Sequence, residues 1–265
     1  MAAPLLPDAL WERLEPLLPA PKARRFRYPG RKPLTNRQVL TGILFVLKTG
    51  LRWNDLPREM GCGSGSRCRR RLKAWARAGV WDRLHAILLA ELNGADKIDW
   101  SRAAVDSSFV RARGGGEETG PSPVDRRKKG SKHHAVVDGR GVPLAATLSA
   151  ANAPDVTKLE AVVDAIPAVT GKRGRPRRRP SRLLGDRAYD SDPHRARLRR
   201  RGSAPKLARR KTEHGSGLGK ARWVVERFFS WLHRFGRLRV RTDRSAEMQA
   251  AFLKLASGLI CLRFL

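Results

Sequence analysis

Negative charge is the scarce commodity in this chain. Its 265 residues hold 24 Asp and Glu against 56 Lys and Arg, a formal net charge of +32. So lopsided a balance argues against an acidic or membrane-buried protein and points to a polyanionic partner, nucleic acid foremost. A GC-rich genome would favour Arg over Lys, but it does not account for the shortage of acids. Cysteine is also sparse. Cys62, Cys68 and Cys261 make an odd set without zinc-pair spacing, which excludes a disulfide framework and predicts reduced thiols and a cytosolic location. Long apolar runs are missing too. Met1–Pro7 has neither a basic region nor a sustained apolar stretch, so no signal peptide is expected. The best apolar candidate, Ala246–Leu265, is broken by Glu247, Lys254 and Arg263, so no membrane span or membrane partner is expected.

What is present suffices for a packed core. Hydrophobic residues make up 41% of the chain, with seven Trp, unlike a disordered basic tail. Residues 1–95 read as helical. Asp8 is a candidate cap for a first helix, and a basic linker follows at Lys22–Lys32. Thr35 opens a helix over Asn36–Lys48, which Gly50 stops. After the turn Gly61–Gly65, Ser64 or Ser66 caps a basic helix, Arg67–Ala78. It carries Arg67, Arg69, Arg70, Arg71, Lys73 and Arg77, with Leu72 and Trp75 on its buried side. Helix, glycine turn and basic helix is a helix-turn-helix layout, and its basic residues are candidate DNA contacts. A helix over Trp81–Leu92 closes this part.

The pattern changes after Gly94, and residues 96–265 read as a second domain. Strands are expected at Ala103–Arg111, His134–Asp138, Pro143–Ser149, Leu183–Asp186 and Ala204–Leu207. Helices are expected at Asp155–Ile166, Pro193–Arg201 and Lys220–Phe235. An amphipathic packing helix is expected through Met248, Phe252, Leu255, Leu259 and Leu262. Gly114–Lys132 and the run Lys172–Arg179 read as basic loops. Lys128, Lys129, Lys132, Arg175, Arg177 and Arg178 are therefore candidate phosphate contacts. A three-stranded meander followed by two crossover units is an α/β layout of the RNase-H-like kind.

The few acids matter most where they end apolar strands. Asp106 follows Ala103-Ala104-Val105, Asp186 follows Leu183-Leu184-Gly185, and Glu226 sits on the helix around Arg222–Phe229. Hard carboxylate oxygens suit Mg²⁺, and two such ions can activate one phosphodiester oxygen and stabilise another. Taken singly, each acid reads better as a cap or a surface ion pair, and Asp138, Asp155, Asp190 and Asp192 compete on charge alone. His133 and His134, entering a strand, read as structural because Mg²⁺ disfavours imidazole.

The ordered strings Asp106-Ser107-Ser108, Gly130–Asp138, Ala151-Asn152-Ala153-Pro154-Asp155, Gly185–Asp190 and Arg222–Arg227 resemble the DDE transposases of bacterial insertion sequences, in the insertion-sequence-five branch. The block Trp11–Trp81, with Gly50–Pro57, resembles the helical module that precedes their catalytic domain. The resemblance implies an RNase-H-like catalytic domain with Asp106, Asp186 and Glu226 as ligands of two Mg²⁺ ions, Mn²⁺ substituting. It implies that Arg222 holds a phosphate, although Arg222 also reads as an i,i+4 partner of Glu226. Where the family signature has Tyr and Lys, this chain has Gly219 and His233, with Arg234 a candidate replacement for the Lys. Asn152 and Asp155 are implied as supporting positions, with helix capping the expected physical role of Asp155. Terminal inverted repeats and target DNA are the implied partners, a homodimer or larger assembly the implied form on DNA, and the bacterial cytoplasm and nucleoid the implied location. Two alternatives stay open: a non-catalytic DNA-binding derivative, and a nuclease that cuts without joining.

Overall fold

The helical part forms where its capping chemistry dictates. In the computed structural model, which describes residues 4–20, 26–27, 32–211, 217 and 219–265, helix α1 spans Asp8–Leu14 and α2 spans Asn36–Thr49. Thr35 and Gln38 make a reciprocal capping box on α2. The Gln38 amide donates to Thr35 Oγ1 at 3.2 Å, and the Thr35 amide donates to Gln38 Oε1 at 3.0 Å. Gly50, at φ 80°, ends the helix as expected. Asp8 does not cap α1: Pro7 holds that position, and the Asp8 carboxylate pairs with Arg37. Much of the linker Lys22–Lys32 lies outside the described residues.

Helix α3 covers Gly65–Arg77, and α4 covers Val80–Gly94. Ser64 supplies the α3 cap, its side chain accepting from the Arg67 amide. The helix starts two residues earlier than its basic run suggests because Gly65 fits against the Trp53 backbone. A Cβ there would lie 1.7 Å from the Trp53 carbonyl oxygen. All three thiols are free and buried.

The remainder is α/β. Strands β1 (Ala103–Arg111), β2 (Gly120–Pro121), β3 (Lys129–Asp138), β4 (Pro143–Ala150), β5 (Arg182–Gly185) and β6 (Ala204–Leu207) form one sheet. The core of the order is β3-β1-β5-β6, with β2 and β4 both pairing with β3. β1 is antiparallel to β3 along its whole length, from Ala103 opposite Asp138 to Arg111 opposite Gly130. It is parallel to β5, with Ala103 opposite Leu183 and Ala104 opposite Leu184. β5 is parallel to β6. The first three residues of β1 are buried together, without alternation, because the sheet is covered on both faces there. β3 begins at Lys129, so the expected loop ends four residues early, and β2 lies within it.

Helices α5 (Asp155–Asp164), α6 (Asp192–Arg200), α7 (Gly219–Leu232), α8 (Gly236–Arg239) and α9 (Ala246–Cys261) complete the chain. This is an RNase-H-like α/β arrangement behind an all-helical region, as the sequence pattern suggests. α9 departs from expectation. It is buried nearly all round, with Gln249, Ala251, Leu253, Ala256, Ser257 and Gly258 as hidden as Met248, Phe252 and Leu255. The cause is its position: α9 packs on α3 and α4 on one side and on β4 on the other. A helix apolar on all sides belongs to an interior. One contiguous core consequently runs from Leu6 to Cys261. Among the described residues, no helix is long and apolar enough to cross a membrane.

The Gly65 contact gives a direct test of this packing. Gly65→Ala forces α3 away from the Trp53 turn and lowers unfolding stability by about 1–3 kcal/mol, the usual cost of overpacking, measurable as a shift of the urea midpoint against wild type.

Candidate carboxylate centre and basic surface

The parallel register of β1 and β5 builds the centre. Continuing the Ala103–Leu183 and Ala104–Leu184 pairs by two residues sets Asp106 level with Asp186, just past the end of β5. β5 stops there because Asp186 caps a short 3₁₀ turn, Arg187–Tyr189, accepting from the Ala188 amide at 2.9 Å. Asp106 accepts from the Ser107 amide at 2.8 Å and from Arg222 Nη2 at 2.9 Å. Burial pushes the Asp106 carboxyl up to about 6. Arg222 and the Ser107 amide pull it down, while the charges of Asp186 and Asp155 push it up.

Arg222 thus reaches across to Asp106, and the expected i,i+4 pair with Glu226 is not formed. Glu226 lies one helical turn further along α7, is exposed, and makes no hydrogen bond or ion pair with a described residue. Its helical stripe is nevertheless the one that faces β1. Arg222 contacts Asp106 at one end of that stripe, and at the other His233 Nε2 lies 3.4 Å from Ser108 Oγ. Among the described residues, no three of His, Cys, Asp and Glu stand close enough together to hold a metal ion. The structure brings Asp106 and Asp186 together and leaves Glu226 outside their immediate pair. Gly219 is the first residue of α7, and Arg234 is exposed beyond its end.

Asp155 lies behind this pair and does not cap α5. The cap position is Pro154, with no side-chain cap bond. The Asp155 carboxylate instead accepts from Ser107 Oγ at 2.9 Å and from Lys132 Nζ at 3.0 Å. Lys132 also donates to the Ala153 carbonyl. It is therefore an inward-facing strand residue, not a loop lysine free for phosphate. Tyr189, 1% exposed, belongs to the same neighbourhood. Burial first, then the charges of Asp155, Asp106 and Asp186, hold its phenol protonated. Its hydroxyl faces Ser107, whose hydrogen bond pulls the phenol in the opposite direction.

His133 and His134 are structural, as their strand position suggests. His133 Nε2 lies 3.1 Å from Gln249 Nε2, and His134 Nε2 lies 2.7 Å from Ser149 Oγ. Burial depresses them to about 3 and about 4, respectively, so both are neutral.

The basic candidates divide sharply. On α3, Arg69 faces Asp243, while Lys73 and Arg77 pair with Glu247 at the start of α9. Arg71 donates to Asn36 Oδ1 at 3.0 Å and packs over the Trp75 ring. Arg67 and Arg70 stay exposed and, with Lys32 and Arg71, line a cavity of about 410 Å³. Elsewhere Lys128 pairs with Asp125, Lys129 is exposed on β3, and Arg175, Arg177 and Arg178 are exposed. Their loop is less free than its charge implies, because Val169 and Arg177 exchange two backbone hydrogen bonds of 2.8 and 2.9 Å. Residue type alone could not divide these arginines, since the acids that engage them come from distant parts of the chain.

An RNase-H-like sheet with two carboxylates meeting on neighbouring parallel strands, Asp106 within β1 and Asp186 just past β5, is compatible with metal-assisted phosphodiester chemistry. The known sequences agree. Residues 101–260 match the family described as "Transposase DDE domain", and residues 6–85 match "Putative transposase of IS4/5 family". The putative transposase for insertion sequence element IS402 from Burkholderia cepacia is 52% identical over 174 residues, covering 65% of this chain and 81% of the relative. An uncharacterized 16.2 kDa protein of the same element is 65% identical over 123 residues, covering 46% of this chain and 84% of the relative. The uncharacterized protein y4sN of Sinorhizobium fredii is 32% identical over 108 residues, covering 40% and 76% respectively. The chain belongs to the DDE transposases of bacterial insertion sequences.

Domains of this family are metal-dependent. The local donor set fits a hard divalent ion: two carboxylates side by side, one of them desolvated, in a protein whose other charges are overwhelmingly positive. The two histidines yield a pH test. Each has a folded pKa below the unfolded value of 6.5, so the unfolded chain binds more protons as pH falls below 6.5. Stability is complete above that pH and declines toward pH 4, by at most about 1.4 kcal/mol per pH unit for each ring. Urea midpoints at pH 7 and pH 5 should differ less in His134→Gln than in wild type.

Proposed function

We propose that the chain cuts the ends of its insertion sequence and joins them to target DNA, using Asp106, Asp186 and Glu226 as ligands for two Mg²⁺ ions. The observation that carries this reading is the β1–β5 register, which sets Asp106 beside Asp186 at the open end of the sheet. Bound there, the ions would supply Lewis-acid stabilisation of the attacking and leaving oxygens in phosphodiester chemistry. In this reading water first hydrolyses the bond at the element's end, and the freed 3′-hydroxyl then attacks a target phosphodiester.

The protein's own groups have separate tasks. Asp106, strained toward the neutral acid by burial, ionises fully once a cation balances it, so loading and deprotonation are coupled. Arg222 then exchanges Asp106 for a DNA phosphate, since a guanidinium fork suits either oxyanion. Glu226, free of other partners on the stripe facing β1, turns inward to complete the ligand set. The exposed Arg67, Arg70, Lys129, Arg175, Arg177, Arg178 and Arg234 take phosphates of the terminal repeats and target. Arg69, Lys73 and Arg77 contribute less, because acids of the C-terminal segment already engage them. Two DNA ends imply two or more copies of the chain in the working complex.

Two experiments test this reading. Asp106→Asn and Asp186→Asn should each retain terminal-repeat binding yet lose cleavage and joining in Mg²⁺ by on the order of 10³-fold, the weight of several kcal/mol of charge stabilisation. Product analysis on gels, with pre-cut ends supplied separately, also distinguishes joining from hydrolysis alone. Persistent turnover in Asp186→Asn refutes the proposed centre. For the surface, Arg70→Ala should reduce the slope of log affinity against log salt by about one, while Arg77→Ala changes it less. Titrations of labelled repeat DNA across a salt series provide the comparison.

A further inference from the structure

Behind β1 lies a charged pair that capping does not explain. Side chains alternate along a strand, so Asp106 and Ser108 face α7, whereas Ser107 faces the other way. The β1–β3 register places His134 opposite Ser107 and Lys132 opposite Phe109, which puts Lys132 and His134 on the Ser107 face. There the Asp155 carboxylate accepts from both Ser107 and Lys132, with side chains only 17% and 13% exposed for Asp155 and Lys132. A largely buried ion pair is a poor source of stability, because desolvation offsets its attraction. This pair also sits within the electrostatic reach of Asp106. The nearby Tyr189 phenol, buried among Asp155, Asp106 and Asp186, shares Ser107 with Asp155.

We propose that Asp155 and Lys132 are positioning residues that set the cation affinity of the Asp106–Asp186 centre from the far side of β1. The inference rests on the proposed use of that centre for divalent ions. Asp155 acts in two ways. Through Ser107 it fixes the strand segment whose amide holds the Asp106 carboxylate, and its charge favours a cation nearby. Lys132 partly cancels that charge, so the pair holds affinity at an intermediate value. A purely structural salt bridge behaves differently, since losing either partner harms the site in the same direction.

The test is direct Mn²⁺ binding to the full chain, followed by the electron paramagnetic resonance signal of the free ion, with thermal melting in parallel. Asp155→Asn should weaken Mn²⁺ binding about tenfold or more, the usual penalty for losing an outer partner of a metal ligand. Lys132→Met should strengthen it. Shifts of the same sign in Asp155→Asn and Lys132→Met overturn the proposal, as does unchanged binding in Asp155→Asn. Asp106→Asn separates the two levels. If wild type binds Mn²⁺ equally well with and without the Asp106 carboxylate, the centre itself is wrong. If Asp106→Asn abolishes binding while the other variants fail the sign test, only the role of Asp155 and Lys132 falls.

Discussion

The parallel pairing of β1 with β5 is the constraint from which the functional half of this molecule follows. Two strands from segments some eighty residues apart meet in one register, and that register alone decides whether Asp106 and Asp186 are neighbours. A shift of one residue would turn Asp106 to the opposite face of the sheet. The register is held by burial. Ala103, Ala104 and Val105 on one strand, and Leu183 and Leu184 on the other, are 5% exposed or less. Their packing offsets the cost of bringing two like charges together at the strand ends. The electrostatic tension in Asp106 and the packing of its apolar neighbours are two sides of one arrangement.

Arg222 relieves the tension in the Asp106 carboxylate. A desolvated carboxylate beside another carboxylate would otherwise favour its neutral form. The guanidinium at 2.9 Å supplies one balancing charge, and it comes from α7, the same helix that carries Glu226. Relief of the pair and completion of the site therefore compete for movement of a single element. Lys132 answers Asp155 in the same way on the other face. Positive charge in this chain thus serves inside the fold as well as on its surface.

Much of this was legible in the sequence, for identifiable reasons. The helix caps at Thr35 and Ser64, the end of α2 at Gly50, β1 and β6 to the residue, and the order of strands and helices all follow from local chemistry and periodicity. Asp106 and Asp186 stood out as acids ending apolar runs, although β1 continues beyond Asp106 to Arg111. What escaped was whatever depends on distant partners. Asp155 looks like a cap from its place at a helix start, yet Ser107 and Lys132 claim it. Lys132 looks like part of a basic loop until β3 is extended by its pairing with β1 and β4. The basic stripe on α3 looks uniformly open until Asp243 and Glu247 fold back onto it. α9 reads as an amphipathic packing helix with one apolar face, although its charged groups find partners or edges and the remainder is enclosed nearly all round.

On the proposed function, the enclosure of α9 bears on where DNA is gripped and where it is cut. The helix is wedged between α3 and α4 on one flank and β4 on the other, and Phe252 stacks on Trp53 at 5.7 Å. A wedge packed to interior density transmits displacement and absorbs little of it. The span between the exposed arginines of α3 and the carboxylates past β5 is thereby built into the protein like the jaws of a locked caliper. Any flexibility needed to reach a differently spaced cleavage position has to come from the nucleic acid.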